Sequence, residues 1–312
     1  MNTLVNIAGI TMKNPVTVAS GTFGSGMEYG EFIDLNRLGA ITTKGVSKTP
    51  WSGNPTPRIA ETYGGMLNAI GLQNPGVEIF IKRDLAFLKK FDAPIFVNIC
   101  GQSIEEYCEM VEILSDYPID MFEINVSCPN VKAGGINLGQ NPIALNKMVK
   151  KLKTYSLKPI SIKLTPNITD ITELAKAVED GGADAISMIN TLSGMKIDIN
   201  TRKYVLANKI GGLSGPAIKP IAVRMINQVY ESVKIPIIGM GGISRYEDAI
   251  EFMIAGATAI AVGTANFHNP YTTIEIIEGI EQYLLKHSIS DVKEIIGSVD
   301  KETNNYECHY CL

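Results

Sequence analysis

Cysteine is scarce in this sequence, five in 312 residues, and its spacing is irregular. Such spacing makes no secreted disulfide framework and points to a reducing cytosol. It is also too sparse for an iron–sulfur site, and no GxGxxG follows a first strand to hold a dinucleotide. Basic charge has no excess either: 28 Lys and Arg against 32 Asp and Glu leave a formal net charge of −4. That excludes the positive footprint of a nucleic-acid binder or of a protein drawn to acidic membranes. The longest mostly apolar run, "FMIAGATAIAVGTA", has 14 residues, whereas spanning a bilayer takes about 20. "MNTLVNIAGITMKNP" lacks a basic segment followed by an apolar one, so no signal peptide is expected. No repeat of 20 to 50 residues and no Pro/Ser-rich linker interrupts the chain. These absences predict a soluble, cytoplasmic protein with one domain over residues 1–300 and a polar, disordered tail over 301–312.

What is present is alternation. Short β-branched runs predict strands at "VTVAS" (16–20), "AITTK" (40–44), "IFVNI" (95–99), "MFEINVS" (121–127), "ISIKLT" (160–165), "AISMIN" (185–190), "PIIGM" (236–240) and "AIAVG" (259–263). Helical patterns separate them, such as "ITELAKAVEDGGA", whose apolar positions return at three and four residues. Strand and helix alternating eight times predict a (β/α)8 TIM barrel, with an open doubly wound sheet as the structural alternative. The residues up to about 13 predict a small N-terminal β-hairpin closing the barrel's bottom.

Barrels place their chemistry at the carboxyl ends of the strands. Those ends carry Ser20, Lys44, Asn98, Asn125 with Cys128, Lys163, Asn190 with Thr191, Gly241-Gly242, and Gly263-Thr264. Glycine turns after the last two strands let backbone N–H groups approach an anion, which predicts a phosphate cradle. "GGLSGPA", with Gly215, reads as a third glycine turn that closes it. Sugar phosphates, pyridoxal phosphate and flavin mononucleotide all suit such a cradle. Lys163 opposite it suits the flavin, whose reduced ring a cation stabilises. A Schiff-base lysine and a solvated rim lysine are the competing readings. The asparagines of the long loop "YGGMLNAIGLQNPG" (Asn68, Asn74), with Asn125, Asn130 and Asn190, offer donor and acceptor side by side, which matches the edge of a pyrimidine or imide.

"ASGTFG", "TTKGVS", "NAIGLQNPG", "NVSCPNV", "IKLTPN" and "GMGGI" together resemble class 1 dihydroorotate dehydrogenase, in order, from about residue 4 to 300. "CPNVKAGG" and the length resemble subclass 1B, the NAD-linked catalytic subunit, more than fumarate-linked 1A. The serine base and N-terminal membrane helix of the membrane-bound class are both missing. The resemblance implies flavin (FMN) contacts from Ser20, Lys44, Gly45, Asn98, Asn125, Lys163, Ile189, Gly215, Gly241, Gly242, Gly263 and Thr264. It implies substrate contacts from Lys44, Asn68, Ala69, Ile70, Gly71, Leu72, Asn125, Asn130, Asn190 and Thr191. For 1B it implies a partner subunit carrying FAD and a [2Fe–2S] cluster, with a homodimer core inside a heterotetramer.

On that resemblance the cysteine between strand and proline in "EINVSCPNV" acquires a role. Oxidising dihydroorotate removes a proton from C5 and sends a hydride from C6 to flavin N5. Cys128 is the expected base, since a thiol of pKa near 8.5 can take up and release a proton near working pH. Gly134, Gly135 and Gly139 would let its loop open. A Schiff-base lyase or aldolase on a phosphorylated substrate is the alternative from another class, and a silent scaffold a third. Cys308 and Cys311 of the tail have C-x-x-C spacing but too few companions for a metal.

Overall fold

Runs rich in Val, Ile and Ala cannot leave either face in water, and eight of them become strands of one parallel sheet. They are β1 (Val16–Val18), β2 (Ile41–Thr42), β3 (Ile95–Ile99), β4 (Met121–Asn125), β5 (Ile160–Lys163), β6 (Ala185–Met188), β7 (Ile237–Met240) and β8 (Ala259–Val262). The computed structural model describes residues 1–127, 132, 133 and 136–300, with only the backbone of 132, 133, 136 and 137. The tail with Cys308 and Cys311 lies outside the described residues.

The strands follow in the order β1-β8-β7-β6-β5-β4-β3-β2, every ladder parallel. At the seam between the two end strands, the Gly39 N–H donates to the Val16 carbonyl at 2.9 Å. Thr17 Oγ1 donates to the Ala40 carbonyl, also at 2.9 Å. A Cβ on Gly39 would collide with the Asn14 carbonyl, so only glycine lets the seam close. The alternation produces the TIM barrel, not the open sheet. Most strands are shorter than their runs in sequence, β4, β5 and β6 losing the last two residues at the mouth, whereas β3 fills its run from Ile95 to Ile99.

Helices cover the outside: α1 (77–88, with a π-turn over Phe80–Leu85), α2 (Ile104–Ser115), α3 (Pro142–Tyr155), α4 (Ile171–Asp180), α5 (Lys219–Tyr230), α6 (Tyr246–Ala255) and α7 (Thr272–Lys286). Their starts are written locally. Ser103, Asn141 and Asp170 each accept a bond from a first-turn N–H of α2, α3 and α4. In α4 the buried positions are Ile171, Leu174, Ala175 and Val178, one helical stripe against the sheet. The N-terminal hairpin pairs Val5–Ile7 with Ile10–Met12, and Val5, Ile7 and Met12 join the main apolar core.

A four-stranded antiparallel sheet was not legible in the sequence. It runs Leu192–Met195, Ile210–Ser214, Gly65–Asn68, Ile59–Thr62, and packs on Ala60, Leu67, Ala69 and Leu206. Its strands leave the barrel after β2 and after β6. The expected loop over 63–76 therefore begins as a strand. The expected turn "GGLSGPA" is mostly strand, with the turn confined to Gly215. Its glycines face neighbours too close for a side chain: a Cβ on Gly212 would overlap Thr191 Oγ1, and one on Gly65 the Ser214 carbonyl.

Candidate active site

The last residues of the barrel strands and the antiparallel sheet enclose a cavity of about 1690 Å³. Of the described site residues expected from sequence, all but Asn74 line it: Ser20, Lys44, Gly45, Asn68 to Leu72, Asn98, Asn125, Lys163, Ile189, Asn190, Thr191, Gly215, Gly241, Gly242, Gly263 and Thr264. Cys128 and Asn130 lie outside the described residues. The chain runs up to them through Ser127, which lines the cavity.

Two cations sit on the floor. Lys163 ends β5, is 4% exposed, and donates from Nζ to Ser20 Oγ at 2.9 Å. A lysine so enclosed is not a solvated rim residue. Burial pushes the Lys44 ammonium below its ordinary value; the Cys100 thiol opposes that shift and the Lys163 charge adds to it.

The sequence reading missed Glu123. It is 2% exposed, its Oε1 accepts from Asn98 Nδ2 at 2.6 Å, and it stands 3.7 Å from Lys163 Nζ. The available signal was a carboxylate in the middle of the apolar run "MFEIN", where a lone charge is unfavourable without a partner.

The carboxamides form a linked set at the ends of β4 and β6. Asn190 Nδ2 donates to Asn125 Oδ1 at 3.2 Å and to Ser127 Oγ at 2.9 Å, while Asn190 Oδ1 accepts from the Thr191 N–H at 2.8 Å. The Tyr107 hydroxyl fixes the Asn125 carbonyl at 2.7 Å. Asn68 reaches in from the antiparallel sheet, and Asn167, also missed, braces Thr191 and Ser193 from the cavity wall. Asn74 does not join them. Its oxygen accepts from Ser47 and Gly76, and its nitrogen donates to Leu72, so it organises the loop behind the site. Gly139 is buried, and a Cβ there would strike the Val126 carbonyl, so packing alone requires glycine at that position.

Glycine turns close the opposite end. Gly241, Gly242 and Gly215 have φ of +130°, +87° and +101°. A Cβ on Gly242 would come within 2.9 Å of the Gly215 carbonyl, so these turns touch. Gly263 differs. A Cβ there would meet only Ala19 at 3.4 Å and Thr22 at 3.9 Å, ordinary contacts, and no positive φ demands glycine. The room beside Gly263 belongs to the cavity. Behind the turns, Asp248 accepts from Ser244, from the Arg245 N–H and from Lys219 Nζ at 2.8 Å, tying α5 to α6.

Among the described residues no helix is long and apolar enough to cross a membrane. The family model described as dihydroorotate dehydrogenase matches residues 3–284. A protein of Lachnoclostridium phytofermentans named "Dihydroorotate dehydrogenase B (NAD(+)), catalytic subunit" is 66% identical over 96% of this chain and 100% of its own length. Proteins of the same name from Alkaliphilus oremlandii and Alkaliphilus metalliredigens are 62% and 59% identical, over 95% and 96% of this chain and 98% and 99% of theirs. With family match and relatives both spanning nearly all of the barrel whose mouth gathers these lysines, amides and glycine turns, the chain belongs to the dihydroorotate dehydrogenase family.

Proposed function

We propose that this chain oxidises (S)-dihydroorotate to orotate in pyrimidine synthesis, with FMN bound in the barrel mouth and electrons passed to NAD through a second subunit. The observation that carries the reading is the convergence on one cavity of Lys44, Lys163, the asparagines Asn68, Asn98, Asn125 and Asn190, and the glycine turns of β7 and β8. The residues present fit FMN. The touching turns at Gly215 and Gly242 and the free room at Gly263 suit a phosphate, and the buried Lys163 suits a ring that gains negative charge. Ser20, Gly45, Asn98, Ile189, Gly241 and Thr264 complete that side. Bound FMN supplies the two-electron acceptor for the hydride leaving C6.

The chain's own residues do the rest. Asn125 and Asn190 lock each other through their amides, which holds the remaining donors and acceptors in place for a flat imide. Asn68 to Leu72 form the facing wall; the consecutive positive φ of Gly71 and Leu72 turns the backbone there. Thr191, Asn130 and Lys44 complete the substrate side, Lys44 meeting the carboxylate. Cys128 directly follows Ser127 in the chain and takes the C5 proton as general base.

The NAD linkage is supported by the relatives' name, and a partner by the words "catalytic subunit" in it. That partner would carry FAD and a [2Fe–2S] cluster, around a homodimer of this chain in which residues 1–300 act as one flavin-binding unit. The test is anaerobic mixing of the purified, flavin-containing chain with dihydroorotate. The visible flavin band should bleach, and NAD should be reduced only when the second subunit is added. A colourless chain, or one that reduces NAD alone or prefers fumarate, refutes the reading.

A further inference from the structure

β4 carries a carboxylate where its neighbours in the strand carry mostly apolar side chains. Glu123 stands in register with Asn98 of β3 and Ser161 of β5, and does not itself line the cavity. Burying a carboxylate is unfavourable, and a buried ion pair seldom stabilises more than apolar residues of the same volume. Stability therefore does not account for it. Position does, because both groups it touches, Asn98 and Lys163, line the cavity.

Two consequences follow from its chemistry. An ionised carboxylate only accepts, so Asn98 must turn its NH2 inward and its oxygen outward. That oxygen lies on the Gly45 side, where an added Cβ would be 2.8 Å from it. The carboxylate also offsets part of the Lys163 charge. Lys163 Nζ donates to Ser20 Oγ and stands 3.7 Å from Glu123, whereas the hydroxyls of Ser161, two residues earlier in β5, and of Ser187, opposite Lys163 on β6, bond to nothing among the described residues.

We propose that Glu123 is a positioning residue acting through these two side chains: it fixes the orientation of Asn98 and sets how much of the Lys163 charge reaches the ring bound above. This rests on the FMN reading. Glu123→Gln keeps the size and an acceptor for Asn98 but deletes the negative charge. The reduced, anionic ring should then gain over the oxidised one by about tenfold, which is about 30 mV upward for a two-electron couple. In a Lys163→Met background the same substitution should change nothing, since the lysine charge that the carboxylate offsets is gone.

The experiment is redox titration of the bound flavin in all four proteins: wild type, each single variant and the double variant. The expected result is a shift with Lys163 present and none without it. An equal shift in both backgrounds, or none in either, overturns the proposal. Should Glu123→Gln fail to fold, Lys163→Met and the doubly neutral variant are compared instead; they must agree in potential, and a difference overturns it. A wild-type chain that retains no flavin refutes the functional reading and this inference with it. Retained flavin with an unmoved potential refutes only this inference.

Discussion

Gly263→Val separates ligand binding from folding. Nothing in the protein requires glycine there, because an added Cβ meets only Ala19 and Thr22 at ordinary distances and φ is not left-handed. A side chain at such a position also restricts the unfolded chain, worth about 0.4–1 kcal/mol in favour of folding. The melting temperature of the flavin-free protein should thus stay within about 3 °C of wild type or rise slightly. The methyl groups of valine, however, enter the cavity where the phosphate is proposed to lie. A hundredfold loss of FMN affinity corresponds to about 2.8 kcal/mol. At a free FMN concentration about 100 times the wild-type Kd, ligand stabilisation of about 2.7 kcal/mol would fall to about 0.4 kcal/mol. Thermal melts with and without FMN, with fluorescence titration of FMN, read both quantities. Gly242→Ala is the control: at φ +87° and with the Gly215 carbonyl 2.9 Å from the new Cβ, it should destabilise the flavin-free fold as well. Wild-type flavin occupancy and wild-type ligand stabilisation in Gly263→Val would refute the phosphate position.

Cys128→Ala should keep the flavin and bind orotate, yet lose on the order of 10²–10⁴ in the rate of flavin reduction by dihydroorotate; stopped-flow traces at the wild-type rate would place the base elsewhere. Cys128→Ser should be slow at neutral pH and recover as pH rises. Lys44→Met should make the flavin-free protein more stable at neutral pH, because burial disfavours the charged lysine. With its folded pKa lowered, wild-type stability climbs as pH rises through that value toward the unfolded one, so urea melts should show the gap closing in alkali. Burial alone would raise the Asp248 carboxyl, but the Lys219 ammonium and the Ser244 donors hold it below the usual carboxylate range. Its contribution is complete above that range and lost as pH falls through the lowered value. Asp248→Asn should therefore cost about 2 kcal/mol at pH 7, and the two proteins should converge in strong acid.

The eight parallel strands and the residues at their ends were legible in the sequence because both are local. A strand buried on both faces must be apolar throughout, and the first polar or glycine residue after it marks where the chain meets the mouth. Hence Ser20, Lys44, Lys163, Asn190 and Gly263 could be picked out one strand at a time, and the fold then gathers them around one cavity. Three features needed the tertiary structure. The antiparallel sheet pairs Gly65–Asn68 with Ile210–Ser214, segments far apart in the chain whose glycines are required by each other's closeness and show no alternation of their own. Asn74 has the same residue type and the same loop as Asn68 but turns to Ser47, a direction no local pattern encodes. Glu123 reads as an anomaly within its own strand, and only the pairing of β4 with β3 and β5 brings Asn98 and Lys163 to either side of it. Periodicity and strand ends are properties of neighbouring residues in the chain; which buried charge meets which, and which short strands pair, depends on contacts that exist only once distant segments lie side by side in the folded barrel.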